Sequence, residues 1–403
     1  MMRKKVVVIG HGYTSRLGII RSLAGLDCDI TVIAMVYHGF WGRLIRSEGG
    51  KPIDCCSRYV KSVRYCHFQD EEGLVKLLLE TCVDANQKVI LIPDSDFSAV
   101  VIDRNQERLK EHFLFPHIKH TPGLVEHWMD KIVQKEHAES IGLNVAKGQV
   151  VLVENQHYDF PTDIHYPCFT KALVTISGGK QFLKRCDNEE ELRQVLEKVS
   201  LKFNTRVLIE EFKRIDTEYA VVGFSDGENV VIPGVIEFIV NSSSHFGIAR
   251  EGKIMPVAGF ETLLDQFKEY VRQTGFCGLF DIDFYESRGV MYFGEMNLRF
   301  GGSGYVYTVM GANLPGMLVR CLCGEDYSSL LHEVDHTATY VNERMCMDDF
   351  LHSYIDEEAY HSIINGAQIH FVMDPDDPGP QRKLKRYLLF QRLNRLRMKL
   401  LRR

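Results

Sequence analysis

Hydrophobic positions in the first hundred residues fall into short unbroken runs separated by a segment with helical spacing. The runs at 5–9, 29–34 (DITVIA) and 88–93 (KVILIP) are typical of buried strands, and 17–24 has apolar residues at helical intervals. The sequence Asp94-Ser95-Asp96 after the third run is a helix N-cap signal. Strand, helix and strand in this order predict an open parallel sheet.

The polar turn GHGYTSRLG joins the first predicted strand to the first predicted helix. Its glycines, Gly10, Gly12 and Gly18, do not form the GxGxxG pattern of dinucleotide sites. We therefore predict a tight turn with a structural role and no dinucleotide. A nucleotide contact at this turn remains the alternative.

The middle of the chain predicts helices that alternate with strands. A helix is expected over 125–141, ended by Gly142, and a loop over 160–167 (FPTDIHYP). The later segments suggest a small α+β lid: β-rich PCFTKALV (167–174), helical NEEELRQVLEKV (188–199), and the strands RVLIEEF (206–212) and EYAVVGF (218–224). An amphipathic helix over 261–275 follows.

A predicted hairpin over 281–297 places carboxylates inside otherwise apolar strands. Asp281 and Asp283 share one face of the first strand, and Glu295, Asn297 and Arg299 share one face of the second. A carboxylate in a half-buried strand is costly unless it is neutralised, and several converging oxygens suit Mg²⁺. The alternative is a solvated face of an antiparallel pair.

A cation and a glycine-rich turn, Arg299-Phe-Gly-Gly-Ser-Gly304, follow these acids directly. Backbone N–H groups in such a turn can hold anions. The acids could bind a metal ion, and Arg299 with the turn amides could bind an anion. Together they suggest a site for a phosphate group and its metal ion.

The turn ISGGK carries Gly178, Gly179 and Lys180 nine residues after the strand residue Lys171. Two ammonium groups flanking a loop with accessible amides are suited to closing over a triphosphate. A hairpin turn with exposed lysines is the equal alternative.

The segment VLIEEF ends a predicted strand with Glu210, Glu211 and Phe212, and Glu218 follows after a loop. Backbone groups at such a strand end can read an adenine edge, and a nearby carboxylate can accept ribose hydroxyls. Surface acids would give the same pattern, so both interpretations stay open.

Composition narrows the class of protein. The chain has 403 residues, 45% hydrophobic and 25% charged, which predicts two or three domains. Its net charge of −6 gives no basic field for nucleic acid. Eleven cysteines without a CxxC or a zinc-like spacing predict reduced thiols, and no apolar run is long enough for a signal peptide or membrane span. We therefore expect a cytoplasmic protein.

The last 23 residues, 381–403, contain ten Lys or Arg and no acid. They follow the breaker DPDDPGP at 374–380, and leucines recur among them at helical spacing. This basic amphipathic helix would suit an anionic membrane surface or an acidic partner, and packing on the same chain is the equal alternative. The membrane reading would place the protein at the inner membrane surface, with a lipid-linked substrate.

The order of these features resembles the ATP-grasp superfamily, and most closely its carboxylate-amine ligases, which are similar to D-aspartate ligase. The resemblance covers about residues 1–325 and depends most on E-x-N-x-R at 295–299 with an upstream strand Asp. It implies an α/β and α+β chain with an open parallel-sheet preATP-grasp domain at 1–118. It further implies an ATP-grasp domain at 119–330, with its lid at about 150–210 and an antiparallel-sheet half, before an extension at 331–403.

The resemblance also implies roles for individual residues. Asp283, Glu295 and Asn297 would hold Mg²⁺, with Mn²⁺ as an alternative, and Asp281 competes with Asp283 as the first ligand. The nucleotide would be bound by Lys131, Lys171, Gly178, Gly179, Lys180, Glu210, Glu211, Phe212 and Glu218.

The implied reaction activates a carboxylate as an acylphosphate, which an amine then attacks. Arg299, with Arg250 as second candidate, would stabilise the tetrahedral oxyanion. The predicted partners are a small carboxylate and an amine, one of them an amino acid. No residue is an evident general base for the amine. Homodimers are common among similar ligases, while a phosphotransferase or a nucleotide-binding protein without turnover are the alternatives.

Overall fold

The computed structural model describes residues 3–36, 51–173, 183–245 and 247–401. Its strands are β1 Lys4–Gly10, β2 Cys28–Val36, β3 Val60–His67, β4 Val89–Pro93, β5 Phe113–Leu114, β6 His117–Ile118, β7 Gly148–Val153, β8 Cys168–Ala172, β9 Lys184–Cys186, β10 Thr205–Glu211, β11 Thr217–Asp226, β12 Val230–Val231, β13 Val235–Asn241, β14 Ala249–Met255, β15 Phe276–Ser287, β16 Val290–Asn297, β17 Ala338–Val341 and β18 Ile369–His370.

The helices are Tyr13–Ser22, Glu71–Thr81, Asp96–Arg104, Gln106–Leu109, Leu124–Trp128, Lys131–Ser140, Glu189–Ser200, Glu261–Thr274, Tyr305–Val309, Leu314–Leu322, Glu343–Leu351, Glu357–Gly366 and Pro378–Leu401, with short 3₁₀ turns at Asp54–Cys56 and Ser328–Leu330. The chain forms two compact units. The first comprises Met1–Glu126, Tyr219–Ile282 and Met296–Arg403, and the second comprises His127–Glu218 and Asp283–Glu295.

The first unit begins with the parallel sheet that the sequence predicts. Its strand order is β3-β2-β1-β4-β5, and every pairing in it is parallel. Strands β1, β2 and β4 are nearly continuous apolar runs because both faces of the sheet are covered at these strands. Ser95 caps the helix after β4 in a capping box with Ser98, so the predicted cap signal is confirmed.

A second, largely antiparallel sheet has the order β16-β15-β11-β13-β14-β17-β18, with β12 on β11 and β6 on β15. The C-terminal extension supplies β17 and β18, which pair in parallel. The largest apolar core of the first unit includes residues of both sheets, such as Val8, Ile92, Val222 and Ile254. The extension is therefore an integral part of the first unit.

Arg21 ties the C-terminal extension to the helix that follows β1. This side chain is 2% exposed and donates to the carbonyl oxygens of Phe371 and Val372, each at 2.9 Å, and to the Asp377 carboxylate at 3.1 Å. The backbone N–H of Arg58 donates to the other oxygen of Asp377 at 2.9 Å. A buried guanidinium with these acceptors holds the last part of the chain in one position.

The second unit contains a small α+β arrangement in the region where the sequence predicts a lid. Its four-stranded antiparallel sheet has the order β7-β10-β8-β9. The helix Glu189–Ser200 packs on this sheet through Leu192, Leu196 and Val199, which join a separate apolar core. The predicted α/β and α+β fold class is confirmed.

The structure differs from the sequence-based prediction at one helix and at one strand. The single helix expected over 125–141 is two helices, because Asp130 adopts an extended conformation and its side chain accepts a hydrogen bond from the Ile132 N–H at 2.8 Å. Strand β3, at the edge of the parallel sheet, was not predicted because its mixed residues lack a clear apolar run.

Candidate functional site

Two lysines of the second unit lie one turn apart on the helix Lys131–Ser140. Residues four positions apart project from the same helix face. Lys131 pairs with Glu295, with Nζ and Oε2 2.5 Å apart. Lys135 donates to the Ala146 carbonyl oxygen at 2.7 Å and contacts the Glu210 carboxylate.

Lys171 and Glu210 meet across the neighbouring strands β8 and β10. The register pairs Lys171 with Leu208, so Glu210 is its diagonal neighbour on the same face. The Lys171 Nζ lies 2.7 Å from Glu210 Oε2, and Glu210 is only 3% exposed. Glu210 therefore contacts two ammonium groups, those of Lys135 and Lys171.

The electrostatics of this cluster favour an additional anion. Burial lowers the pKa of Lys171 to about 8, and the nearby Lys131 acts in the same direction. Burial, followed by the nearby Lys171, lowers the pKa of Lys135 to about 7. Glu211 opposes the shift of the Lys135 pKa, and Glu295 opposes the shift of the Lys171 pKa. Three cations face two carboxylates here, so a bound anion would relieve the repulsion among the lysines.

Replacing Lys135 by Met tests how strongly Glu210 depends on this lysine. We expect the free energy of unfolding to fall by about 2 kcal/mol, because a buried carboxylate loses one of its two charged partners. Urea titration measures the change. Lys198→Met is the matched control, since Lys198 is exposed on the helix Glu189–Ser200. Equal midpoints for both variants would show that Lys135 does not stabilise the cluster.

The residues at the end of β10, for which the sequence predicts a base-binding role, contact neighbouring parts of the second unit. Glu211 accepts from the Lys147 N–H at 3.1 Å and pairs with Lys213 at 2.9 Å. The Phe212 N–H donates to the Pro167 carbonyl oxygen at 3.0 Å, and the Arg185 guanidinium lies 4.5 Å from the centre of its ring. Glu218 is half-buried at the start of β11.

The acidic hairpin forms as the sequence predicts. Arg288 and Gly289 both have positive φ, 54° and 77°, which the tight turn between β15 and β16 requires. Asp283 and Glu295 lie in the part of the hairpin that belongs to the second unit. Asp283 is half-buried, and a side chain at Gly294 would collide with its carbonyl oxygen, at 2.8 Å.

The other predicted acids and cations of this segment belong to the first unit. Asp281 and Asn297 are each 8% exposed. The Arg299 guanidinium lies 2.9 Å from Asp96 Oδ1 and 3.5 Å from Asp281 Oδ2. Gly301 lies directly against Asp281, because a Cβ there would be 2.7 Å from its carboxyl carbon. The chain after β16 therefore keeps a cation against two carboxylates.

Arg250, the second candidate for the oxyanion contact, lies in a different setting. It is 8% exposed and pairs with Glu251 at 2.7 Å and with Asp349 at 3.1 Å. Asp349 also accepts from Ser242 Oγ at 2.8 Å and so fixes the loop after β13. Arg250 thus has a structural task in the first unit.

The first βα turn is built around buried charges. Arg16 donates to both oxygens of Asp54, at 2.6 and 3.1 Å, and to the Gly10 carbonyl oxygen. Asp94 is buried beside it, and burial raises the Asp94 pKa to about 7 while Arg16 opposes the shift. Gly10 is required because a Cβ would lie 1.4 Å from the Asp94 carboxylate. These contacts give the turn a structural role.

Some predicted site residues stay untested by the geometry. Gly178, Gly179 and Lys180 lie outside the described residues. Within the described part of the chain, no group of three or more His, Cys, Asp or Glu side chains is arranged to hold a metal. The predicted metal site of Asp283, Glu295 and Asn297 has only two acids and an amide. It remains a prediction.

Sequence reasoning missed two residues that the structure brings to these clusters. Lys135 could have been found, because it follows Lys131 by one helical turn. The sequence indicated Asp96 only as part of a helix cap signal. In the structure it contacts Arg299, which lies 203 positions later in the chain. No local pattern reports such a pairing.

Residues 130–304 match the family model described as carbamoyl-phosphate synthase L chain, ATP binding domain. The carbamoyl phosphate synthase large chain of Clostridium beijerinckii is 23% identical over 206 residues, which are 49% of this chain and only 19% of that protein.

Two solved structures show the fold. The biotin carboxylase domain of Hydrogenobacter thermophilus 2-oxoglutarate carboxylase has a TM-score of 0.63 and 17% identity, covering 84% of this chain and 74% of that one. An L-amino acid ligase from Bacillus licheniformis has a TM-score of 0.61 and 18% identity, covering 84% and 79%. The match and these neighbours confirm the predicted ATP-grasp fold.

Proposed function

We propose, from the ATP-grasp domain that this chain carries at residues 130–304, that the protein is an ATP-dependent carboxylate-amine ligase. It would activate a carboxylate as an acylphosphate and join it to an amine, with an amino acid as one substrate. The observation that carries the proposal is the cluster of Lys131, Lys135 and Lys171 around Glu210 and Glu295. Its excess positive charge fits a polyphosphate.

The residues of the second unit fit a nucleotide. Lys131 and Lys171 would bind its phosphates, and Glu210, Glu211 and the Phe212 backbone would lie at the base, with Glu218 at the ribose. Gly178, Gly179 and Lys180, which lie outside the described residues, are proposed as the phosphate-binding residues of the lid. The Hydrogenobacter thermophilus neighbour is described as a complex with MgADP, which supports a nucleotide and Mg²⁺ here.

The acids of the hairpin fit a hard divalent cation. Asp283, Glu295 and Asn297 offer oxygen ligands of the kind that Mg²⁺ and Mn²⁺ prefer, and Asp281 is the alternative first ligand. When bound, the cation would neutralise phosphate charge during phosphoryl transfer. Lys131, now paired with Glu295, would exchange that partner for phosphate oxygens.

Arg299 fits the cation that stabilises the tetrahedral oxyanion. Its guanidinium is partly exposed and already oriented by Asp96 and Asp281. A donor held in place before the reaction needs no reorganisation when charge develops. Arg250 is less suited because Asp349 and Glu251 engage it in a structural contact.

Product mass spectrometry with purified protein, Mg-ATP and pooled amino acids, dipeptides and sugar acids tests the function. We expect ADP release that requires two pooled compounds and a product whose mass equals their sum minus water. A stable phosphorylated product from one compound would instead identify a phosphotransferase. ATP binding without turnover in any pool would favour a nucleotide-binding protein.

We also propose that the C-terminal helix, Pro378–Leu401, binds an anionic lipid surface. Its first part packs on the chain itself, since Leu384 is 6% exposed in a core with Ile53 and Met347. Farther along, Leu389, Phe390 and Leu393 are 59%, 44% and 55% exposed. Apolar side chains among ten Lys or Arg and no acid are complementary to anionic headgroups. No helix in the described ranges is long and apolar enough to cross a membrane.

Cosedimentation with vesicles tests this surface. The variant Leu389→Glu/Leu393→Glu should lose most of the binding that the native protein shows to vesicles containing phosphatidylglycerol, because it places two acids on the apolar face. Leu201→Glu is the control, since Leu201 is 69% exposed elsewhere. Equal binding of all three proteins, or binding of none, would contradict the proposal. The cytoplasmic location and the homodimer stay predictions.

A further inference from the structure

His11 lies at the topological switch point of the parallel sheet. The strand order is β3-β2-β1-β4-β5. From β1 the chain adds β2 and β3 on one side of β1, and it then crosses to add β4 on the other side. The turns after β1 and β4 therefore flank a crevice at the carboxyl ends of the strands, where open α/β sheets bind ligands. The first turn carries His11, and the second carries Asp96.

The surroundings of His11 are partly aromatic and partly charged. Its ring meets Phe68 edge to face, with centroids 4.9 Å apart. The charged groups that face it are Arg16 on the helix after β1, Asp96 on the helix after β4, and Arg299 after β16. Asp96 and Arg299 contact each other at 2.9 Å, so they form one fixed pair beside the imidazole.

Burial and the two arginines favour the neutral form of the imidazole. Burial is the main cause that lowers the pKa of His11, and Arg16 and Arg299 act in the same direction. Asp96 opposes the shift and would stabilise the imidazolium once a proton arrives. A neutral imidazole with a nearby carboxylate is the form that accepts a proton.

We infer that His11 accepts the proton of the substrate ammonium group, with Asp96 as a positioning residue. The inference rests on the proposed ligase function, which requires a neutral amine. His11 would take one proton from the ammonium, and the amine lone pair would form the C–N bond to the acyl carbon. The C–O bond to phosphate would break, and phosphate would take the second N–H proton. His11 would return its proton to water.

The other acids near this crevice are less suited to that task. Asp96 and Asp281 both contact the Arg299 guanidinium, so their carboxylates are already engaged in an ion pair. Asp94 lies beneath Gly10, where a substrate amine would have to displace the turn. His11, by contrast, keeps part of its surface accessible at the turn, although the surrounding protein removes enough water to lower its pKa.

Competition between two nucleophiles tests the inference. Hydroxylamine is neutral near pH 7 and needs no proton acceptor, whereas an amino acid ammonium does. In His11→Gln we expect amide formation to fall about 100-fold while hydroxamate formation stays within about twofold of the native protein. The pH profile of amide formation should also lose the limb that follows His11 ionisation. His157→Gln, at an 82% exposed histidine of the second unit, should match the native protein in both assays.

The outcomes separate the two proposals. Equal losses of amide and hydroxamate in His11→Gln, or no loss of either, would overturn the role of His11. Asp96→Asn should shift the acid limb of the native pH profile to lower pH, since the carboxylate stabilises the imidazolium; an unmoved limb would overturn the role of Asp96. Absence of hydroxamate from the native protein with every carboxylate would instead refute the ligase function.

Discussion

Replacing Glu295 by Gln is expected to lower ADP formation about a thousandfold. The substitution keeps the size of the side chain and its ability to accept a hydrogen bond from Lys131, but removes the charge that a divalent cation requires. Loss of charge stabilisation worth several kcal/mol in phosphoryl transfer gives an effect of this size. Steady-state ADP release with saturating Mg-ATP measures it.

Nucleotide binding separates a lost metal ligand from a damaged fold. ADP should bind Glu295→Gln equally well with Mg²⁺ and with EDTA, whereas Mg²⁺ should strengthen binding to the native protein. Glu286→Gln is the matched control in the same hairpin, where the backbone oxygen of Glu286 accepts from the Asp216 N–H at 2.8 Å. Retained Mg²⁺ dependence in Glu295→Gln would refute the assignment of Glu295 to the metal.

Replacing Arg299 by Ala is expected to lower both amide and hydroxamate formation by about 100- to 1,000-fold. Both reactions pass through a tetrahedral oxyanion, so both need the guanidinium that Asp96 and Asp281 hold in place. ATP affinity should stay unchanged, because the proposed nucleotide residues belong to the second unit. Fluorescence titration with a nucleotide analogue and product assays give the two readouts.

Arg250→Ala provides the comparison that separates the two arginines. Arg250 pairs with buried Asp349, so its loss should reduce stability without a selective effect on product formation by the folded protein. Greater loss of turnover in Arg250→Ala than in Arg299→Ala, after correction for the folded fraction, would reverse the assignment.

The strands that could be predicted were those whose burial produces a recognisable pattern of apolar residues in the sequence. Unbroken apolar runs identified β1, β2 and β4 because strands buried on both faces carry few polar residues. Alternation in the acidic hairpin identified β15 and β16, and the glycine at 289 marked their turn. The break at Asp130 was missed because a capping residue inside a periodic segment resembles an ordinary helical position.

Individual residues of the candidate site were predictable, but the contacts between them were not. Lys171 and Glu210 were proposed singly, but their contact depends on the register of β8 and β10, which the sequence does not contain. The Asp96–Arg299 pair depends on how distant segments of the first unit pack. The role of His11 became visible only when the strand order placed it at the switch point.

Arg21 has a consequence for biosynthesis. Its acceptors, Phe371, Val372 and Asp377, are synthesised 350 or more residues after Arg21. During translation the helix after β1 therefore carries a guanidinium whose buried position is complete only once residues 371–377 have been made. A premature stop before residue 371 would leave this guanidinium without those acceptors.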